Sequence, residues 1–270
     1  MAHSLTDKKP LAGNNVINQI AFVVRDIERA SEAFAQLLGI PKPNWFLTGD
    51  HEVSQVTFRG QPSDSRSKLV FMNTPTVQIE LIEPDQEPGT ISEFLDTVGE
   101  GIHHFAFDVD SIKDKLPVFE ENGYALLQSG EFTSSDGRYV YVDTLKSHKT
   151  LMELLESAEP RDTAPKTDVF TPLLGTNKIE QLAIVVKDLD AAAEEYCKLL
   201  GAEKPPVIQS GPSELTQVVF EGKPTEGESK YMFINTPLLQ LELIEPGDSP
   251  STWKKHLETQ GEGVHHISFL

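Results

Sequence analysis

The sequence predicts an α+β fold in which tandem βαβββ modules form cupped mixed sheets. Two observations lead to this fold class. The first is an internal duplication at a constant offset of 162 residues, in which 17–27 returns as 179–189, 77–84 as 239–246 and 99–107 as 261–269. The second is the order of the hydrophobic patterns within each unit, which is strand, helix and then three strands. Two such modules fit in the first unit, and one module with a further opening strand fits in the second.

The first module begins with the alternating pattern of a strand at 18–24. Asp26 is a typical N-cap for a helix over 27–38, and Gly39 is a typical residue for the C-terminal end of that helix. Three strands complete the module, at 53–60, 67–73 and 76–84.

The second module follows a short helix within 88–101. A strand at 103–109 opens it, and Asp110 is expected to cap a helix that reaches about Asn122. Pro117 lies inside this helix and predicts a kink or a later start, because proline cannot donate the helical hydrogen bond. The module closes with strands at 124–130, 137–143 and 150–156.

The duplication divides the chain into two units joined by a linker. The first unit, 14–157, is predicted to be a complete domain of two modules, and 158–175 is a linker rich in proline, threonine and charge. The second unit, 176–270, is predicted to be truncated after the opening strand of its second module, because counterparts of 108–155 would fall beyond Leu270.

The composition is that of a globular protein whose charge disfavours polyanionic partners. The formal net charge is −19, so neither nucleic acid nor an anionic membrane is expected to bind. No apolar run approaches the roughly 20 residues of a membrane-spanning helix, and a cytoplasmic location is expected. The single cysteine, Cys197, rules out an internal disulfide and a cysteine-rich zinc site, and its helical context indicates a packing role.

Four polar residues occupy equivalent places in the two modules of the first unit. Gln19 and Glu80 lie in the opening and closing strands of the first module, and His104 and Glu153 lie in the same strands of the second. Two curved sheets related by a pseudo-two-fold axis would bring these side chains together. Both glutamates have apolar neighbours in sequence, where an unpaired carboxylate is costly to bury and a divalent cation would offset the cost. The pattern therefore predicts a metal site. Its second-unit equivalents are Gln181, Glu242 and His266.

Simpler interpretations of the individual residues remain open at this point. A glutamate in a strand can turn its carboxylate to water, and a lone histidine is more often a core residue than a metal ligand. Gln55 and its counterpart Gln217 recur inside apolar stretches. These two glutamines either line a pocket or lie as amides on a strand surface.

Several motifs resemble those of the vicinal oxygen chelate superfamily, which includes glyoxalase I, methylmalonyl-CoA epimerase, extradiol dioxygenases and bleomycin-resistance proteins. The motifs are VQIELIEP (77–84), ISEFLDTVGEG (91–101), HHFAFDV (103–109) and TLMELLE (150–156), and they are nearest to methylmalonyl-CoA epimerase. The resemblance implies a glyoxalase-like fold. The metal ligands that it implies are Gln19, Glu80, His104 and Glu153, and His103 would then face the opposite side of the sheet.

The implied ligand set departs from the epimerase pattern, which usually has histidine at the place of Gln19. A set of Gln, Glu, His and Glu is similar to that of eukaryotic glyoxalase I. The missing histidine also argues against the two-histidine-one-carboxylate triad of a dioxygenase.

The resemblance implies a metal-dependent lyase or isomerase of the glyoxalase I or methylmalonyl-CoA epimerase type. A divalent ion (Zn, Ni, Co, Mn or Fe) would chelate two neighbouring oxygens of a small substrate, and a proton would move through an enediolate or enolate. Glu153 is the first choice as the base and Glu80 the second. The alternative is a small-molecule-binding protein without turnover, similar to bleomycin-resistance proteins, and an extradiol-type dioxygenase is less favoured. A further alternative is that the second unit is an interaction module that docks on a partner chain. The sequence also allows a homodimer.

Overall fold

The described residues of the first unit form ten strands and five helices. The computed structural model describes residues 9–133, 135–159 and 170–270 of the chain. The strands are β1 (Gln19–Val23), β2 (Phe46–Leu47), β3 (Thr57–Phe58), β4 (Gln61–Pro62), β5 (Ser67–Asn73), β6 (Gln78–Pro84), β7 (Gly101–Asp108), β8 (Leu126–Glu131), β9 (Gly137–Val142) and β10 (Leu151–Ser157). The helices are α1 (Ile27–Leu38), α2 (His51–Ser54), α3 (Thr90–Thr97), α4 (Ile112–Glu121) and α5 (Leu145–His148).

All ten strands join in one mixed sheet, in the order β2-β5-β6-β1-β7-β10-β9-β8-β3-β4. The opening strands of the two modules, β1 and β7, pair antiparallel at its middle. Each of them also pairs in parallel with the closing strand of its own module, β1 with β6 and β7 with β10. The predicted α+β class with tandem modules is therefore confirmed, and the four strands that carry the candidate ligands are neighbours.

Local signals explain the helix that follows each opening strand. The Asp26 side chain accepts a hydrogen bond from the Arg29 amide and caps α1, which ends at Gly39 in the left-handed conformation, with φ 66°. The helix predicted over 27–38 is thus confirmed. In the second unit, the equivalent helix is capped by Asp188 and ends at Gly201 in the same way.

Two predictions for the first unit are wrong in detail. The stretch 53–60 is not one strand, because it begins inside the short helix α2, which ends at Gln55 with φ 45°, a value outside the range of a strand. The N-cap of α4 is Ser111 and not Asp110, since the Ser111 hydroxyl accepts from the Asp114 amide. Helix α4 contains Pro117 but does not start late.

The second unit repeats the first module and the following strand. Its strands are β11 (Ile179–Val185), β12 (Ile208–Gln209), β13 (Val219–Phe220), β14 (Lys223–Pro224), β15 (Ser229–Asn235), β16 (Gln240–Pro246) and β17 (Gly263–Phe269). Its helices are α6 (Leu189–Leu200), α7 (Ser213–Thr216) and α8 (Thr252–Thr259). Five strands form a sheet in the order β12-β15-β16-β11-β17, and β13 pairs with β14. Residues 160–169 of the predicted linker lie outside the described residues.

One apolar core runs through both units. The ring of Phe105 in β7 stacks on Tyr196 in α6, with 6.4 Å between ring centroids. The Tyr196 hydroxyl donates to the backbone carbonyl of His148 at 2.6 Å. Cys197 is buried in the same core, as expected for a packing role. Among the described residues, every helix is too short or too polar to span a lipid bilayer.

Candidate metal centre

Three ionisable side chains of the first unit converge at the middle of the curved sheet. The ligand atoms of Glu80, His104 and Glu153 all lie within 4.8 Å of one another. Nε2 of His104 is 3.1 Å from Oε2 of Glu153 and 3.5 Å from Oε2 of Glu80. Both carboxylates are almost fully buried, at 6% exposure for Glu80 and 4% for Glu153. Two buried carboxylates around one imidazole place excess negative charge at this point, which a divalent cation would balance.

The strand register explains why these side chains meet. Ala21 in β1 lies between Glu80 in β6 and His104 in β7. In the adjacent row, Ala106 in β7 lies between Gln19 and Glu153. Residues directly opposite each other in a sheet share a face, so two alanines stand at the centre of four longer polar side chains. The small alanine side chains leave room for these groups to approach one another.

The amide nitrogen of Gln19 is already engaged in a hydrogen bond, so its amide oxygen is the atom that remains available as a ligand. The Gln19 amide nitrogen donates to Oε1 of Gln78 at 2.8 Å, and the Gln78 amide nitrogen donates to Oδ1 of Asn73 at 2.8 Å. Gln19 is itself buried, at 2% exposure. The Gln19–Gln78–Asn73 chain of amides, called here the amide relay, therefore orients the Gln19 oxygen as a potential ligand.

Three buried polar atoms in the centre have no hydrogen-bond partner among the described residues. They are Oε1 of Gln19, Nε2 of His104 and Oε2 of Glu153. The last two atoms are 3.1 Å apart and form an ion pair when His104 is protonated. Each unsatisfied buried group costs roughly 1–3 kcal/mol. Because imidazole, carboxylate and amide oxygen are ordinary ligands of divalent metals, this donor set fits such an ion.

A β-bulge determines where the two adjacent histidines point. The pairing of β1 with β7 skips His103, since Ala21 pairs with His104 and Phe22 with Ile102. As a result both imidazoles lie on the same side, with Nδ1 of one 2.8 Å from Nδ1 of the other. The expectation that His103 faces the opposite side of the sheet is therefore wrong. Instead, Nδ1 of His103 contacts Nδ1 of His104. The other ring nitrogen of His104, Nε2, is then directed at the carboxylates of Glu80 and Glu153.

The charges of the centre act in opposite directions on the two histidines. Burial alone would lower the pKa of His104, but the nearby charges of Glu153 and Glu80 outweigh it and raise that pKa to about 9. For His103, burial and the charge on His104 hold the pKa well below its usual value. In the absence of a metal, this raised pKa favours the protonated form of His104 at neutral pH.

A cavity of about 850 Å³ opens onto the centre. Gln19, Glu80 and Glu153 are among the residues that line it, so polar ligand atoms and a reacting group could meet there. Its walls combine polar residues with apolar and aromatic side chains, and the latter form a group of their own. They include Phe46, Leu69, Phe71, Ile82, Ile91, Tyr139 and Tyr141. A cavity with apolar and aromatic side chains in its walls and a few convergent polar groups is typical of a small-molecule site.

The sequence profile of the glyoxalase/bleomycin resistance protein/dioxygenase superfamily matches residues 18–142 and 180–270. These two stretches cover most of the chain and correspond to its two units. The chain belongs to this superfamily.

Individual relatives are distant. An ethylmalonyl-CoA/methylmalonyl-CoA epimerase of Cereibacter sphaeroides is 28% identical over 116 residues, which are 43% of this chain and 76% of the relative. An uncharacterized protein of Bacillus subtilis, YqjC, is 24% identical over 143 residues, 53% of this chain and 92% of that protein. Among solved structures, a mutant 4-hydroxymandelate synthase from Streptomyces coelicolor has a TM-score of 0.57 at 15% identity, covering 94% of this chain and 70% of that one. That likeness shows the shared fold.

The equivalent residues of the second unit form a looser group. Nε2 of His266 is 3.8 Å from Oε2 of Glu242, and both side chains are partly exposed. The Gln181 nitrogen donates to Gln240, as in the amide relay, but its oxygen accepts a hydrogen bond from Ser268 at 2.9 Å. Within the described residues, no second group of three converging ligands is found.

The predicted pocket glutamines lie elsewhere. Gln55 and Gln217 each end a short helix in the left-handed conformation, with φ 45° and 48°, and both are exposed. Gln55 does not line the cavity of the first unit. Both were expected inside strands, and the left-handed backbone is the reason that they are not. The cavity residues that sequence reasoning missed are Tyr139 and Tyr141, although the alternation in GRYVYV indicates that both face one side of β9.

Proposed function

We propose that this protein is a divalent-metal-dependent lyase or isomerase that binds a small substrate through two neighbouring oxygens and moves a proton at the adjacent carbon. The observation that carries the proposal is the convergence of Glu80, His104 and Glu153 beside a cavity that Gln19, Glu80 and Glu153 line. Gln19, His104 and Glu153 each have a buried polar atom without a hydrogen-bond partner among the described residues. The likeness to a protein named as an acyl-CoA epimerase supports the proton-transfer class over other reactions of the superfamily.

These four side chains would hold the ion in a site of oxygen and imidazole donors, a set that suits Zn, Ni, Co, Mn or Fe. When bound, a divalent ion supplies Lewis-acid stabilisation of negative charge that develops on the substrate oxygens. The single histidine in the set disfavours the triad of two histidines and one carboxylate found in non-haem iron dioxygenases.

Glu153 is our candidate for the group that takes the proton from carbon. Its Oε2 is buried and has no hydrogen-bond partner among the described residues, so a lone pair is available to a ligand in the cavity. Glu80 faces the same space from the neighbouring module and would be the acceptor on the other side of the substrate.

The test uses the purified full chain, freed of metal and then reloaded with Zn, Ni, Co or Mn. Methylglyoxal–glutathione hemithioacetal and methylmalonyl-CoA are incubated with it in D₂O, and proton NMR follows deuterium entry at the carbon next to the carbonyl. We expect metal-dependent exchange of at least one substrate, and Glu153→Gln should abolish this exchange even at ion concentrations high enough to keep the weakened site occupied.

Two results would count against the proposal. A protein that takes up no stoichiometric divalent ion would end it, because the buried carboxylates would then serve another purpose. A protein that binds the ion, and binds these compounds without any exchange, would instead be a small-molecule binder.

A further inference from the structure

The hydroxyl of Tyr139 is held in the cavity wall by a chain of hydrogen bonds. The backbone amide of Thr90 donates to Oε1 of Gln128 at 2.8 Å, and the Thr90 hydroxyl donates to the same oxygen at 3.2 Å. The Gln128 amide nitrogen then donates to the Tyr139 hydroxyl oxygen at 3.2 Å. Gln128 is buried, with 4% exposure, so its amide cannot exchange these partners for water.

The direction of this chain follows from the backbone amide of Thr90, which can only donate. Oε1 of Gln128 must therefore be the acceptor, and its nitrogen must be the donor to Tyr139. Because the Tyr139 oxygen is the acceptor in that bond, its own proton is directed elsewhere. Among the described residues, no hydrogen bond donated by the Tyr139 hydroxyl is found, and its side chain lines the cavity.

The surrounding strands place the Tyr139 ring at this position. Across the sheet, Gly130 pairs with Tyr139, and a Cβ at Gly130 would lie 2.6 Å from the ring and 2.7 Å from its hydroxyl oxygen. Only glycine therefore leaves room for the ring. Burial, with the charges of Glu153 and Glu80, raises the pKa of Tyr139 to about 12, so the hydroxyl keeps its proton throughout the physiological range.

The position of Tyr139 also defines which part of a ligand it would meet. Tyr141 lies directly opposite Glu153, and Tyr139 comes two residues earlier in the same strand. At about 3.3 Å per residue, this is roughly 7 Å from the level of Glu153. A group at that distance belongs to the part of a ligand a few bonds beyond the oxygens held at the metal centre.

We infer that Tyr139 is a substrate-binding residue whose hydroxyl donates a hydrogen bond to a carboxylate or carbonyl oxygen in the outer part of the ligand. The cavity would thereby select ligands that carry a hydrogen-bond acceptor a few bonds from their two neighbouring oxygens. The inference rests on the proposed function only in placing those two oxygens at the metal centre.

The test compares 2-hydroxy acids that share one chelating end and differ at the other. Tartronate, malate and 2-hydroxyglutarate carry a second carboxylate at increasing distance, and lactate, 2-hydroxybutyrate and 2-hydroxyvalerate carry a methyl group in its place. Calorimetry measures the affinity of each pair for the Zn-loaded full chain and for the metal-free chain. We expect a preference for the diacid at one length or more, and Tyr139→Phe should reduce it by about 10- to 100-fold, the effect of a hydrogen bond to a charged group.

Two further variants separate this effect from general damage. Gln128→Leu removes the partner that orients Tyr139 and should lower the same preference by a smaller factor. The control is Tyr124→Phe, which removes a phenol hydroxyl that donates to Glu195 on helix α6 of the second unit. Tyr124 does not line the cavity, so this variant should leave the preference unchanged.

The outcomes for Tyr139 and for the proposed function can be told apart. If no pair shows a preference that Tyr139→Phe removes, the inference is wrong, whether or not the ion binds. If the chain takes up no ion but the preference and its loss in Tyr139→Phe persist in the metal-free protein, the proposed function fails and the role of Tyr139 stands.

Discussion

The amide relay provides the sharpest test of the metal centre, through the substitution Gln78→Leu. Gln78 does not belong to the four candidate ligands, and its role is to accept a hydrogen bond from the Gln19 nitrogen. Leucine has a similar size but cannot accept that bond. The Gln19 amide would then be free to turn its nitrogen toward the carboxylates of Glu80 and Glu153, where an N–H group is attracted, and its oxygen would be withdrawn from the site.

The expected loss can be worked from the hydrogen bond that the substitution removes. Restoring the Gln19 oxygen to the site means leaving a buried N–H group without a partner, at a cost of roughly 1–3 kcal/mol. This corresponds to about 5- to 150-fold in affinity, and it agrees with the roughly 10- to 100-fold loss that follows removal of a partner that orients a metal ligand. We therefore expect Gln78→Leu to weaken divalent-metal binding by about 10- to 100-fold.

The second unit offers a matched control. Gln240→Leu makes the same change at the equivalent position, where Gln240 accepts from the Gln181 nitrogen, but this group is not at the metal centre. Calorimetric titration of both variants with Zn, together with their thermal unfolding, separates metal affinity from stability. Equal affinities for Gln78→Leu and the unchanged protein would refute the orienting role, and an equal loss in both variants would indicate a general effect on the fold.

Four further predictions concern the effect of pH, the number of metal sites and the stability of the chain. Since His104 must lose its proton to bind an ion and its pKa is raised to about 9, Mn²⁺ affinity should rise roughly tenfold per pH unit between 7 and 9 and then level off, as titrations at several pH values would show. The raised pKa of His104 also stabilises the metal-free fold below pH 6.5, the ordinary pKa of histidine. This contribution to the free energy of unfolding should be lost as the pH rises through 9, which urea unfolding at several pH values would measure. The full chain should bind one ion by elemental analysis, and Glu242→Gln should change neither number nor affinity, because the Glu242–His266 pair is partly exposed and 3.8 Å apart. Tyr196→Phe should lower the free energy of unfolding by about 1–3 kcal/mol, because the buried His148 carbonyl loses its donor.

Most of the fold could be predicted because its signals are local. Alternating strands, the Asp26 cap and the Gly39 terminus each involve a few adjacent residues, and the constant repeat offset extends them to the second unit. The prediction failed where the backbone leaves regular geometry. Gln55 has a left-handed conformation that its apolar neighbours do not reveal.

The candidate ligands could be predicted because each holds an equivalent position in a repeated module. The groups that orient them could not, since their contacts depend on register and bulge geometry. The position of His103 depends on one skipped residue in the pairing of β1 with β7, and strict alternation puts it on the wrong face. The role of Gln78 depends on its side chain lying directly across from Gln19.

Comparison of the two units separates the features that serve the fold of the module from those that are particular to the candidate metal centre. The bulge and the histidine contact recur, with Nδ1 of His265 2.8 Å from Nδ1 of His266, and so does the chain of amides through Gln240 to Asn235. These features are therefore properties of the module itself. The difference lies in one neighbour of the amide oxygen, since Ala106 faces Gln19 where Ser268 donates to Gln181. Alanine has no hydroxyl to donate, so the Gln19 oxygen remains available to an ion, whereas the Ser268 hydroxyl uses the Gln181 oxygen as its acceptor. Of the two chains of amides, the one in the first unit therefore ends in an oxygen without a hydrogen-bond partner among the described residues.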